Sequence, residues 1–194
     1  RDDHERRDPP SQAGDGPAWL KLSACAVLLA IMSASIAAAF APFADQAALL
    51  LPHALPATDD GAHDLAHLAR VWTNASRIGQ AEGANMRQLL AAVLMHDCVA
   101  VEKDSPLRSQ ASRMAAEQAR SVLSELGWLP VDIDAVAHAI EAHSHSAGIA
   151  PRSCEARVLQ DADRLDALGV VGAARCFYVG GRLGRPLYDP TDPA

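Results

Sequence analysis

The sequence predicts an all-α domain. Three observations carry that expectation. Apolar residues make up 49% of the chain and aromatics only 4%, the apolar set being mostly Ala, Leu and Val. Such residues suit packed helices better than sheets. From Gly61 onward, apolar positions recur at helical spacing, and no stretch alternates convincingly as a strand would.

The elements follow in order. Residues 1–17 are charged, rich in Pro, Gly and Asp, and without apolar period, so a disordered leader is expected. Residues 18–42 form an Ala-rich apolar helix. The charge-free stretch from Leu22 to Ala44 is near the roughly 20 residues that span a bilayer. Two alternatives stand beside a packing helix: a membrane anchor, or an export signal with Ala39-Phe40-Ala41 as a peptidase site and Pro42 against cleavage. Positive charge precedes this stretch and none follows until Arg70, so a single span would place the domain outside the cytoplasm. A cytoplasmic chain is the expectation, a membrane-anchored or exported one the alternative.

Residues 43–190 are read as the functional domain. Leu65, Leu68, Trp72 and Ala75 form one helical stripe. A helix over about Met86 to Val101 is apolar nearly all round from Leu89 to Met95 and should be central. Ala115, Ala119, Val122 and Leu126 mark a third, ended by Gly127 and Pro130. Ile133, Val136, Ala137 and Ile140 mark a fourth. Val158, Ala162, Leu165 and Gly169 mark a fifth. The tail from Gly180 is rich in Gly and Pro and reads as loop.

A net charge of −7 makes the chain a poor partner for nucleic-acid backbones. It does not exclude a small phosphorylated substrate. Cys25, Cys98, Cys154 and Cys176 form no Cys-x-x-Cys pair and read as reduced thiols.

Three pieces carry chemistry. A buried apolar run ends in His96-Asp97. An ionised carboxylate in a core needs a paired charge or a metal. His67 shares a helical face with Val71, Asn74 and Ile78, so it can point inward. His63 lies one turn earlier, a spacing that can bind zinc. Asp64, however, is one carbon short of a protease's general-base Glu, which leaves His63 near substrate or behind the ligands. Asp161, Asp163 and Asp166 fall on a later helix, and helical phase does not choose between Asp161 and Asp163. Two imidazoles and two carboxylates form a mixed nitrogen and oxygen set, which suits Mn, Mg, Fe, Co or Zn without distinguishing them.

His67-Leu68-Ala69-Arg70-Val71, the His96-Asp97 doublet and Ala162-Asp163-Arg164-Leu165 together resemble the HD superfamily of metal-dependent phosphohydrolases. Within it the chain is more similar to a bacterial subgroup of small HD phosphohydrolases, the YedJ-like and YpgQ-like proteins. That similarity rests on His63-Asp64-x-x-His67, His138-Ala139-Ile140-Glu141-Ala142-His143-Ser144 and the run Gln160 to Gly169. The resemblance implies a compact helical HD-domain bundle with a metal in its core. The ligands would be His67, His96, Asp97 and Asp163, with Asp161 the alternative fourth. It implies hydrolysis of a phosphoester or phosphoanhydride in a nucleotide or similar small phosphate. A non-catalytic module that senses a nucleotide is the alternative. Asp97 is the candidate catalytic residue, as ligand and proton acceptor. Lys103 and Arg108, in the loop after the doublet, are candidates to hold substrate phosphates. His143 and His63 are further substrate-side candidates. His143 can also serve a second metal, while His138 and His145 rank lower.

Overall fold

The structure, a computed structural model, describes residues 36–55, 64–101, 105–187 and Thr191. The expectations for residues 1–17 and for most of the apolar stretch lie outside the described residues.

Seven α-helices are present among the described residues: α1 Ala44–Ala54, α2 Leu65–Glu82, α3 Met86–Met95, α4 Ala111–Glu125, α5 Pro130–His143, α6 Cys154–Asp166 and α7 Gly169–Arg182. Single 3-10 turns occupy Ala38–Phe40, Arg108–Gln110 and His145–Ala147. The described residues contain no strand, as the composition implies.

Local signals set the boundaries. Asp64 caps α2 by accepting the His67 backbone N–H at 2.8 Å, and Asn85 caps α3 through the Gln88 N–H at 3.2 Å. Ser153 does the same for α6 through the Ala156 N–H at 3.1 Å. Helix α4 ends as expected. Gly127 adopts φ 73°, and the Trp128 N–H reaches back to the Leu123 carbonyl at 3.0 Å. Pro130 then occupies the first turn of α5, where its missing N–H has no consequence.

Helix α3 is the centre. Every residue from Leu89 to Met95 is fully buried, and α1, α2, α5 and α6 all pack against it. A helix apolar on all sides can be accommodated only there. Phe40 is also fully buried, and Phe43 meets Trp72 edge-on at 6.1 Å. The described end of the apolar stretch therefore packs on the bundle. Among the described residues, no helix is long and apolar enough to cross a membrane.

Two boundaries differ from the sequence reading. Helix α3 stops at Met95 rather than continuing to Val101, so His96 and Asp97 sit in the turn leaving it. The His96 ring binds the Val93 carbonyl at 2.7 Å and so satisfies one of the last carbonyls of the helix. The fifth predicted helix also divides. Helix α6 ends at Asp166, Gly169 takes φ 70°, and a further helix runs on to Arg182. Part of the Gly-rich tail is thus helical. Within α7 only Gly172 is buried, and Val170, Phe177 and Tyr178 are exposed.

Candidate metal centre

Four helices converge on one cluster. His67 projects from the first turn of α2, and His96 and Asp97 leave the end of α3. His143 is the last residue of α5, and Asp163 lies near the end of α6. His67 and His96 are fully buried, while Asp97 and Asp163 keep about a quarter of their side chains open to solvent (25% and 27%). The imidazoles therefore form the floor and the carboxylates the mouth.

The hydrogen bonds fix which nitrogen of each ring carries the proton. His96 Nδ1–H donates to the Val93 carbonyl at 2.7 Å. His143 Nδ1–H donates to the Ile140 carbonyl at 2.6 Å. His67 Nδ1–H donates to the Asp166 carboxylate at 2.8 Å. Each Nε2 is therefore the lone-pair end, and the Nε2 atoms of His67 and His96 face one another at 3.3 Å. Two lone pairs held that close in a dry core repel unless a cation or a proton lies between them.

The carboxylates complete the cluster. Asp97 Oδ2 is 3.2 Å from His96 Nε2 and 3.8 Å from His67 Nε2. Asp163 Oδ1 is 3.6 Å from His67 Nε2 and 3.8 Å from His96 Nε2. Two donors each about 2.1 Å from one ion are separated by ~3.0–3.4 Å at right to tetrahedral angles. The spacings therefore suit a shared divalent cation after small adjustments. His67, His96 and Asp163 form one group able to hold a metal, and His96, Asp97 and His143 a second, with ligand atoms within 4.8 Å in each. His96 belongs to both.

The electrostatics agree with the chemistry of the donors. Burial and the neighbouring His96 push the His67 pKa down to about 4. Burial opposes charge on His96 as well, but Asp97 and Asp163 outweigh it and lift His96 to about 9. The metal-free pair is thus driven to hold one proton, in the place a divalent cation would take. Burial and His96 lower the His143 pKa, so that ring stays neutral. Cys98 follows the doublet, but burial and Asp97 push its thiol up to about 12. It is an inert core residue.

The remaining sequence candidates divide. Asp161 is exposed on α6, whereas Asp163 Oδ1 faces the histidines. Arg108 donates to the Val101 carbonyl at 3.3 Å, and its turn packs against the His145–Ala147 turn that follows His143. His138 accepts the Arg152 N–H at 3.0 Å and braces a loop, and His145 is exposed. His63 and Lys103 lie outside the described residues. Asp166 was read only as part of an acidic run. It is buried, with its carboxylate bound to His67. Its spacing of three from Asp163 was the available signal, because residues i and i+3 share a helix face.

The comparisons with known proteins fit this arrangement. The HD domain family model matches residues 64–168, from the cap of α2 to just beyond Asp166. The uncharacterized protein YpgQ of Bacillus subtilis is 35% identical over 142 residues, covering 71% of this chain and 67% of that protein. A crystal structure of a Lactobacillus plantarum protein aligns with a TM-score of 0.59 and 32% identity, over 81% of this chain and 68% of the other. Bacillus subtilis YpgQ in complex with ADP aligns with a TM-score of 0.54 and 29% identity, over 81% and 71% of the two chains. With the matched span enclosing His67, the His96-Asp97 doublet and Asp163, the chain belongs to the HD domain family.

Proposed function

We propose that this protein is a metal-dependent phosphohydrolase that cleaves a phosphoester or phosphoanhydride bond in a nucleotide or similar small phosphate. One observation carries the reading: the 3.3 Å approach of two buried imidazole lone pairs, with Asp97 and Asp163 beside them. His67, His96, Asp97 and Asp163 would hold the ion. A divalent cation supplies Lewis acidity toward a phosphoryl oxygen and lowers the pKa of water.

The chain's own groups do the rest. His67 and His96 present lone pairs only, because their Nδ1 protons are committed elsewhere. Asp97 turns Oδ2 toward the histidine pair and Oδ1 toward His143 Nε2, 3.7 Å away. It can serve as ligand with one oxygen and take a proton with the other, with the neutral His143 lone pair next in line. The partly open Asp97 and Asp163 would face an entering substrate. Lys103 and Arg108 would neutralise charge on the substrate phosphates. The ADP complex of YpgQ supports a nucleotide as the ligand class.

The test is a hydrolysis screen of the purified chain, loaded in turn with Mn²⁺, Co²⁺ and Mg²⁺, on nucleoside mono-, di- and triphosphates. Turnover should appear with at least one pair and disappear in Asp97→Ala. Metal and nucleotide binding without turnover on the whole panel would favour a nucleotide sensor instead.

A further inference from the structure

We propose that Asp166, clamped by Arg70 and Arg175, is a positioning residue that sets the aim and donor strength of His67. The inference rests on the metal reading above. Asp166 is buried, yet its carboxylate takes bonds from three side chains on two other helices. Arg70 Nε meets Oδ1 at 2.6 Å and Arg70 Nη2 meets Oδ2 at 3.0 Å, a two-point fork. Arg175 Nη1 adds a bond to Oδ2 at 2.9 Å. The oxygen that receives the His67 Nδ1–H at 2.8 Å is thus the one also held by both guanidinium groups.

The consequence for His67 is twofold. The fork prevents the carboxylate from rotating, so the imidazole plane is fixed with Nε2 toward His96. The two cations also withdraw charge from Asp166. Its carboxylate therefore orients the ring without pulling strongly on its proton. A carboxylate behind a ligating histidine ordinarily raises the basicity of the donor nitrogen, and the arginines set how far. Arg70 follows His67 by three residues, one turn along the same face of α2. Arg175 comes from α7, a helix that buries only Gly172. Through Arg175 the last helix becomes part of the metal centre.

The experiment measures Co²⁺ affinity of the metal-free chain by competition with a chromophoric chelator, and the visible absorption of the bound Co²⁺. Substrate is absent. Asp166→Asn should bind Co²⁺ about 10–100-fold more weakly, with a shifted absorption band. Arg175→Gln frees the carboxylate to turn, and the lost aim of Nε2 outweighs the charge returned to Asp166, so binding should weaken by less, about 3–10-fold. Should Asp166→Asn fail to fold, Arg175→Gln carries the test. Unchanged Co²⁺ affinity in the folded variants, whatever their melting temperatures, would overturn the proposal, since a purely structural bond moves stability and leaves the ion alone. Because affinity is read without substrate, a chain that binds Co²⁺ but hydrolyses nothing would defeat the hydrolase reading and not this one.

Discussion

The histidines of the cluster are aimed in two different ways. His96 and His143 each end a helix and donate Nδ1–H to a carbonyl three residues earlier on that same helix. His67 sits in the first turn of α2 and donates to Asp166, 99 positions along the chain. The first device is local. It forms whenever the helix forms, and it also satisfies a terminal carbonyl. The second exists only once α2 and α6 have packed. A donor aimed locally can fold with its own segment, while one aimed from a distance reports on the whole bundle.

Local aim does not imply equal roles, and the two helix-end histidines provide the strongest test. His96 belongs to both ligand groups, whereas His143 belongs to one, with its Nε2 3.7 Å from Asp97 Oδ1. His96→Ala should therefore reduce metal binding below detection and remove hydrolysis with it. His143→Ala should leave metal affinity within about threefold while lowering turnover by ~10²–10⁴, the range for a lost proton-transfer group. Equilibrium dialysis with metal analysis, run beside the hydrolysis assay, reads both quantities. Equal metal loss in the two variants would make His143 a ligand.

The long-range arm has its own contrast in α6. Asp163→Ala should weaken metal binding by more than ~10²-fold, beyond the usual effect of losing a group behind a ligand. Asp161→Ala, two residues away on the exposed face, should stay within about twofold, the usual outcome for an exposed surface change. Calorimetric titration of both metal-free variants would decide it. A large effect at Asp161 would mean that α6 turns when the ion binds.

The same division explains what the sequence could reveal. The helical class, the central place of α3 and the His96-Asp97 doublet were legible because each is written in neighbouring residues. A charged pair at the end of a run buried from Leu89 to Met95 has no bland place to go. The choice between Asp161 and Asp163 was not legible from phase. Each lines up with apolar residues, Asp161 with Leu165 and Leu168 and Asp163 with Leu159 and Val170, and of these Leu165, Leu168 and Val170 are exposed. Asp166 was hidden for the opposite reason. Its meaning depends on Arg70, Arg175 and His67, which only packing brings together. Helix α7 was missed in part because Gly180 and Gly181 lower helix propensity near its end.

The smallest effect separates support of a helix from aim of its side chain. Asp64 caps α2 through the backbone N–H of His67, and Asp166 holds the ring of the same residue. The two contacts share a residue but act on different atoms. Asp64→Ala should cost about 1 kcal/mol, as loss of an N-cap does. For a chain of this size that lowers the melting temperature by about 2–4 °C. Asp64 is exposed and acts on the Asp166 clamp through its charge on Arg70 rather than through a bond to the carboxylate, so metal affinity of the folded variant should stay within about twofold. Thermal denaturation and Co²⁺ titration of Asp64→Ala beside Arg175→Gln would then give opposite patterns: stability moves in the first and affinity in the second. If Asp64→Ala lost affinity as Arg175→Gln is expected to, then His67 would be aimed by its own helix after all, and the distinction between local and distant aim would fail.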